Sequence, residues 1–177
     1  MIETETLLLR PIRLEDSIQV FDYRSDANTN KFQNFVPTDV SQVDEFIAEN
    51  PSQFNVPNTW FQLVIIEKSS QKIIGDLGIH FIAGDHQQCE LGCTLHKDFH
   101  GKGYATKAMA LVIDYLFNTL NKHRIIASVD PENTASIQLL ERLRFRKEAH
   151  FKQSLFFKGT WVDDVVYAVL QHEWNKD

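Results

Sequence analysis

Apolar and polar residues alternate with two different periods along this chain, and each change of period marks the end of a predicted element. Runs with strand-like composition occupy residues 6–10, 60–67, 72–81, 89–95, 124–129, 151–157 and 165–170. Helical spacing predicts helices over residues 14–24, 40–49, a stretch that ends near 120, and 134–143. We expect Ile18 and Phe21 to face inward from the first helix, and Val43, Phe46 and Ile47 from the second.

The order of these elements determines the expected fold class. Two helices precede an antiparallel meander, which is followed by a strand–loop–helix, a strand–helix and a final hairpin. This order predicts an α+β (mixed α/β) fold in which helices cover both faces of one sheet. It differs from the repeating βαβ pattern of dinucleotide-binding folds, and the sequence has neither GxGxxG nor a Walker A motif. The absence of repeats and long linkers predicts one domain over residues 1–177.

Composition narrows the class of protein further. Apolar residues make up 43% of the chain and charged residues 24%, as in ordinary globular proteins. The net charge of −6 argues against general nucleic-acid binding and favours cationic partners weakly. The N-terminal MIETETLLLRP does not resemble a signal peptide, and no apolar run is long enough to cross a membrane.

The two cysteines are predicted to be unpaired. Cys89 and Cys93 lie four residues apart in one strand, which places them on the same face but too far apart for a disulfide. No zinc-type CxxC spacing is present. These features fit a reducing compartment, and we expect a cytoplasmic protein.

The segment HGKGYATKA, from His100 to Ala108, joins a predicted strand to a predicted helix. Glycines at 101 and 103 allow a ligand to approach the backbone closely, and amides at a helix start lack intrahelical acceptors. Together with the helix dipole, these amides suit a pyrophosphate. A GxG pattern alone equally fits a tight turn that binds nothing, so the spacing leaves both interpretations open.

The chain as a whole resembles the GCN5-related N-acetyltransferases (GNAT), and in particular the RimJ/RimL-type branch of ribosomal-protein N-terminal acetyltransferases and their relatives that acetylate small molecules. The resemblance rests on the order of five segments, TLLLRPIRLED, IIGDLGIHF, CELGCTLHKDFHGKGYATKA, RIIASVDPENTASIQLLERLRF and FKGTWVDDVVYAVLQHEW. It implies a mostly antiparallel twisted sheet, splayed at the cofactor site. It also implies direct transfer of an acetyl group from acetyl-CoA to a primary amine in a ternary complex, without a metal.

The resemblance also assigns cofactor-binding roles. Strand residues whose backbone would pair with the pantetheine arm are Cys93, Thr94 and Leu95. The loop and helix start would hold the pyrophosphate through His100, Gly101, Lys102, Gly103, Tyr104, Ala105 and the Thr106 hydroxyl. Asn133 would contact the cofactor near the thioester, although its side chain also suits a helix cap. Arg142 and Lys102 would reach the 3′-phosphate or adenine end, the alternative for Arg142 being a solvated surface charge.

Three positions depart from the family pattern. His100 stands where glutamine or arginine is usual, and imidazole can still donate a hydrogen bond. Arg144 replaces the usual glycine after a helix, where a left-handed backbone would cost about 1 kcal/mol. Leu140 occupies the position at which many relatives have a tyrosine acid.

Acetylation of an amine requires a base for the ammonium proton and an acid for the leaving thiolate. Glu90 is the predicted base. The alternatives are that Glu90 is only a solvent-facing carboxylate on its strand, or that a bound water acts as the base. Ser136 is the predicted acid, with a plain surface hydroxyl as the alternative, and Tyr104 and Tyr167 are weaker candidates. His96 and His100 have a spacing seen in metal sites but lack a third ligand in sequence.

Three functions follow. The first is an N-acetyltransferase that acts on a protein N-terminus or a small amine, with its acceptor pocket shaped by residues 32–37 and 50–60. The second is a CoA-binding protein of the same fold that has lost catalysis. The third is a nucleotide-binding enzyme, which predicts ATP binding in place of acetyl-CoA. The oligomeric state stays open between monomer and homodimer.

Overall fold

Eight strands and five α-helices form from residues 2–84 and 86–174, the parts of the chain described by the computed structural model. The strands are β1 Ile2–Glu3, β2 Leu7–Pro11, β3 Thr59–Glu67, β4 Lys72–Phe81, β5 Gln88–Leu95, β6 Arg124–Val129, β7 Arg146–Phe157 and β8 Thr160–Leu170. The helices are α1 Ser17–Arg24, α2 Val40–Ala48, α3 Tyr104–Asn118, α4 Thr134–Arg142 and α5 Gln171–Trp174. None of these described helices is long and apolar enough to cross a membrane.

All eight strands belong to one sheet, in the order β1-β2-β3-β4-β5-β6-β8-β7. Neighbouring strands run antiparallel except β5 and β6, which are parallel. A parallel pair needs a crossover connection, and α3 supplies it between these two strands. The mixed, mostly antiparallel sheet predicted from the sequence is confirmed.

Helices cover both faces of the sheet, as predicted. On one face α1 and α2 pack on β3 and β4 through a small apolar cluster that includes Val20, Val43, Ile47, Val64, Ile66 and Ile73. On the other face α3 and α4 close the larger core, to which the same two strands contribute alternate residues such as Leu63, Ile65, Leu77 and Ile79. Alternation along β3 therefore supplies both cores from one strand.

The prediction that Ile18 faces inward is wrong. Its side chain is 75% exposed, and Val20 and Tyr23 are the buried apolar residues of α1. The helical phase differs because the segment opens with a 3₁₀ turn, Leu14–Asp16, which has three residues per turn. A two-pronged ion pair from Arg10 to the Asp16 carboxylate, with both distances at 2.7 Å, fixes that turn. Phe21 is half-buried and packs beside the smaller cluster.

The C-terminal hairpin is longer than predicted. Strands were expected at 151–157 and 165–170, whereas β7 begins at Arg146 and β8 at Thr160. The added residues of β7, 146–150, have the sequence RKEAH and are mostly exposed, so no apolar alternation marks them as a strand.

Arg144 adopts the left-handed backbone that its position predicts, with φ of 64°. The amide of Phe145 donates to the Leu140 carbonyl at 3.0 Å, and the amide of Arg144 donates to the Glu141 carbonyl at 3.0 Å. These two bonds, with the buried Leu140 and Phe145 side chains, form a Schellman motif that ends α4.

Candidate active site

The site begins at a fork between β5 and β6. The two strands pair only from Gln88–Glu90 to Arg124–Ile126, and beyond Glu90 they separate. Within the described structure, residues 91–95 therefore have no strand partner on the β6 side, although β4 still pairs with their other edge. This fork confirms the splayed sheet that the sequence led us to expect.

A cavity of about 440 Å³ opens in this fork. Residues 91–94 line one wall and residues 127–129 line the other, and the start of α4 closes one end. Five predicted site residues border this cavity, namely Glu90, Cys93, Thr94, Asn133 and Ser136. The structure thus brings the predicted base and the predicted acid, 46 positions apart by their residue numbers, to one space.

The remaining predicted cofactor residues do not line this cavity. Leu95 ends β5, residues 100–103 form the loop before α3, residues 104–106 begin α3, and Arg142 ends α4. Gly101 and Gly103 have φ values of 72° and 78°, a left-handed backbone that favours glycine. A Cβ at either position would meet no atom within 4 Å. Backbone conformation is therefore the reason for glycine here, and the space above the loop is open to a ligand. Gly103 is followed directly by the first turn of α3, which includes Tyr104, Ala105 and Thr106.

Two cationic side chains lie at this loop. Nη1 of Arg142 donates to the Thr106 hydroxyl at 3.2 Å, which brings the end of α4 to the first turn of α3. The ammonium of Lys102 lies over the Phe99 ring, 5.1 Å from its centroid. Both residues are therefore placed near the predicted pyrophosphate loop.

The His100 ring is bonded to the protein itself. Its Nε2 lies 2.8 Å from the carbonyl oxygen of Leu95. Because a carbonyl only accepts, Nε2 carries the proton and donates it. The donor that we expected to face the cofactor thus ties the glycine loop to the end of β5, and only Nδ1 of His100 remains for other partners.

Glu90 is half-buried on β5, with 27% of its side chain exposed. Burial raises the pKa of this carboxyl above its ordinary value, the nearby His80 lowers it, and Asp164 raises it further. A carboxyl pKa moved toward neutrality makes a stronger base for an ammonium proton. The environment of Glu90 therefore suits the predicted role.

Ser136 lies in the first turn of α4, half-buried at the cavity. Its amide donates to Oδ1 of Asn133 at 3.2 Å, so Asn133 caps the helix, one of the two roles left open by the sequence. One turn further along α4, Leu140 is buried and borders the same cavity. This is the position at which the family resemblance implies a tyrosine acid in many relatives.

The two tyrosines named as weaker acids lie elsewhere. The Tyr104 hydroxyl donates to Glu67, and this bond raises the pKa of Tyr104. Tyr167 is buried in the large core, where burial and Glu141 raise its pKa. Neither side chain borders the cavity described above.

Cys89 and Cys93 are both free thiols, as predicted. Burial raises the pKa of Cys89 to about 11 and that of Cys93 to about 12. Since the thiolate is the nucleophile, a thiol held protonated at neutral pH is a poor acyl acceptor. In residues 2–84 and 86–174, no group of three or more His, Cys, Asp or Glu is arranged to hold a metal ion.

Several residues at the site were missed by the sequence reasoning. Arg24 and Asp76 form a buried ion pair at the cavity. Residues 32–35 and Trp60 also line it, and these belong to the predicted acceptor segments 32–37 and 50–60. His80 lies directly across from Glu90 in the β4–β5 register. The hairpin register could have revealed that last pair, because both strands were predicted from the sequence.

Comparison with known proteins shows the family to which this chain belongs. A family model described as an acetyltransferase (GNAT) domain matches residues 6–146. The chain belongs to the GNAT acetyltransferase family. The resemblance found in the sequence is thereby confirmed, as is the enzyme class, since the matched relatives are named N-acetyltransferases.

Three similar proteins illustrate the range of this family. The GNAT chain is 36% identical over 172 residues to the uncharacterized N-acetyltransferase p20 of Bacillus licheniformis, covering 97% of this chain and 96% of the relative. It is 31% identical over 125 residues to the [ribosomal protein uS5]-alanine N-acetyltransferase of Escherichia coli (strain K12). This alignment covers 70% of this chain and 64% of the relative. A solved spermidine N-acetyltransferase from Vibrio cholerae, in complex with CoA and spermine, shares the fold with a TM-score of 0.82 at 21% identity. The match covers 98% of this chain and 100% of that chain.

Proposed function

We propose that this GNAT enzyme transfers the acetyl group of acetyl-CoA directly to a primary amine, with Glu90 as the base and Ser136 as the acid. The observation that carries the proposal is the cavity in the β5–β6 fork. Glu90 borders it from β5 and Ser136 borders it from α4, beside a strand edge that has lost its β6 partner.

Acetyl-CoA suits the surfaces around this cavity. Beyond the β6 pairing, the edge of residues 93–95 that faces away from β4 offers amide and carbonyl groups to the amides of a pantetheine arm. The left-handed glycine loop and the first turn of α3 offer amide donors and the positive end of the helix dipole to a pyrophosphate. Lys102 and Arg142 add positive charge at the same end, where a 3′-phosphate would lie.

The proposed reaction has two proton transfers. Glu90 removes a proton from the ammonium group, and the neutral amine nitrogen attacks the thioester carbonyl carbon. As the tetrahedral intermediate collapses, the C–S bond breaks and the CoA sulfur takes a proton from the Ser136 hydroxyl or from water. The amine nitrogen loses its second proton to solvent, and where Ser136 has supplied the proton its oxygen regains one from solvent, which leaves an amide and free CoA.

Direct attack is favoured over an acetyl-cysteine intermediate. Cys93 is the cysteine that borders the cavity, and burial raises its pKa to about 12. Its thiol is therefore protonated at neutral pH and poorly nucleophilic.

Two free thiols also suit the reducing cytoplasm, which is the location we propose.

The acceptor enters as a cation in this proposal. Glu49, Glu90, Asp130 and Asp164 all border the cavity and place negative charge around it. An ammonium group is attracted by such a wall, whether it belongs to a protein N-terminus or to a small amine. The names of the relatives cover both acceptor types, a ribosomal protein alanine and spermidine.

The test incubates the purified protein with acetyl-CoA and one of two probes, spermidine or a peptide that begins with alanine. Mass spectrometry of the amine product, together with release of the CoA thiol, reports transfer. We expect the Glu90→Gln variant to lose about a hundredfold in kcat or more, since general-base catalysis contributes that much. The matched control Glu132→Gln removes an exposed carboxylate, which lies outside the cavity lining, and should keep full activity.

A thermal-shift measurement separates the alternatives. At a hundred times its dissociation constant, a ligand of the folded state stabilises it by about 2.7 kcal/mol. Stabilisation by acetyl-CoA and CoA without acetylation of any amine would favour a CoA-binding protein that has lost catalysis. Stabilisation by ATP in place of acetyl-CoA would contradict the proposal.

A further inference from the structure

Three side chains form a row across neighbouring strands on one face of the sheet. Trp60 of β3 faces His80 of β4, and His80 faces Glu90 of β5, each directly opposite in the strand register. The Trp60 and His80 rings are stacked, with centroids 5.0 Å apart and planes 13° apart. Nδ1 of His80 lies 3.8 Å from Oε2 of Glu90. One imidazole is thus held by an aromatic ring on one side and faces a carboxylate on the other.

The position of His80 relative to the cavity differs from that of its neighbours. Trp60 and Glu90 border the cavity, whereas His80 does not. Even so, 23% of the His80 side chain is exposed. The imidazole is therefore within 4 Å of the Glu90 carboxylate and is itself partly open to solvent.

We propose that His80 is a positioning residue that keeps the Glu90 carboxylate ionised and carries the proton of the acceptor amine from Glu90 to solvent. The inference rests on the proposed role of Glu90 as base. The proton leaves the ammonium nitrogen for a Glu90 carboxylate oxygen, and then passes to Nδ1 of His80 by reorientation of the carboxyl or through one water. Nε2 of the resulting imidazolium releases a proton to solvent, which restores both groups.

The charges around Glu90 show why such a partner matters. Burial raises the pKa of Glu90, His80 lowers it, and Asp164 of β8 raises it. On the β6 side, Glu90 pairs in register with Ile126, which is apolar. On the β3 side, His80 meets the neutral Trp60 ring. Among these neighbours of Glu90, His80 is the group that supports the ionised form.

The test compares two substitutions that separate proton chemistry from packing. His80→Phe keeps an aromatic ring for Trp60 but removes both ring nitrogens. His172→Phe is the matched control, because His172 is exposed on α5 and lies outside the cavity lining. The titration of the Glu90 side-chain carboxyl is followed by ¹³C NMR, with the signal assigned from its loss in Glu90→Gln.

We expect the Glu90 titration midpoint to move to higher pH in His80→Phe and to stay unchanged in His172→Phe. The acidic limb of the kcat/KM profile should move in the same direction, without a change in the KM for acetyl-CoA. Below the midpoint, each unit of that movement lowers the ionised fraction tenfold and the rate with it. A midpoint equal to that of the wild type would overturn the proposal and leave His80 as a packing residue.

The NMR titration needs no acceptor amine, so the two proposals can fail separately. A wild-type protein that acetylates neither spermidine nor the alanine peptide, yet shows the midpoint shift, would retain the His80–Glu90 coupling while losing the proposed function. An active enzyme whose midpoint moves without any change in its pH–rate profile would overturn the proton-carrying role of His80.

Discussion

The guanidinium of Arg24 donates to both carboxylate oxygens of Asp76, from Nε at 2.7 Å and from Nη2 at 2.6 Å, and both side chains are buried. The Tyr23 hydroxyl donates to the same carboxylate at 2.5 Å. The Arg24 guanidinium also lies over the rings of Phe35 and Phe46, at 5.5 and 5.1 Å from their centroids. This pair therefore joins α1 and the loop that forms one cavity wall to strand β4.

Removal of one partner of this pair should strongly destabilise the protein. Arg24→Leu leaves the Asp76 carboxylate buried without its cation, and breaking a buried pair in this way costs about 3–5 kcal/mol. Urea denaturation at pH 7 measures the loss. The control Lys97→Met breaks the exposed ion pair with Asp26 and should leave the midpoint nearly unchanged. Equal effects of the two substitutions would contradict the structural role given to Arg24.

Glu90→Gln should stabilise the folded protein at pH 7 while it abolishes most activity. Burial raises the pKa of Glu90, so the folded chain binds this proton more tightly than the unfolded chain. The stability that this carboxyl contributes is present below its unfolded-state pKa and is lost as the pH rises through the folded pKa. The neutral amide avoids that loss.

Thermal denaturation of Glu90→Gln and of the control Glu132→Gln, at pH 7 and again at pH 4, checks this sign. The advantage of Glu90→Gln over the wild type should be largest at pH 7 and should shrink at pH 4. A variant that is less stable than the wild type at pH 7 would show that Glu90 has a structural partner.

Gly103→Ala should weaken CoA binding together with stability. The residue has φ of 78°, and a left-handed backbone costs a side chain about 1–2 kcal/mol. Gly159→Ala is a matched control, because Gly159 has φ of 86° in the β7–β8 turn and its Cβ would also meet nothing within 4 Å. Calorimetric titration with CoA should show weaker binding for Gly103→Ala alone. Equal CoA affinities would place the pyrophosphate elsewhere.

Gly92→Val should block the cavity without unfolding the chain. Gly92 is exposed at the cavity, and its Cβ would meet no atom within 4 Å. By contrast, a Cβ at Gly75 would lie 2.3 Å from the Thr94 carbonyl oxygen, so Gly75→Ala should disrupt the β4–β5 pair. Circular dichroism should show a folded Gly92→Val variant and a disrupted Gly75→Ala variant, and the acetylation assay should show loss of activity in both. Full activity of Gly92→Val would mean that the acceptor and the thioester meet away from this wall.

Arg144→Gly should stabilise the end of α4 relative to Arg144→Ala. Both variants lack the arginine side chain, so their difference isolates the backbone at φ of 64°. Glycine adopts this conformation freely, and we expect it to be more stable by about 1 kcal/mol in urea denaturation. The reverse order of stability would indicate that the Schellman motif is not formed in solution.

Patterns within a short stretch of sequence identified much of this protein. Period-two runs predicted the central strands, because neighbouring side chains in a strand alternate between faces. The GxG loop was placed between β5 and α3, and Arg144 was predicted to take a left-handed backbone, since both depend on local conformation. Ile18 was placed wrongly, because the 3₁₀ turn before α1 depends on the ion pair between Arg10 and Asp16.

By itself, the sequence determined the fold class, the family and the pair of groups expected to move protons. Only the tertiary structure decided that Glu90 and Ser136 border one cavity, because that depends on where β6 stops pairing with β5. It also decided that Arg24 pairs with Asp76 and that His80 faces Glu90. Such contacts join residues on different elements, and strand register and packing set them, whereas sequence patterns report only on neighbours along the chain.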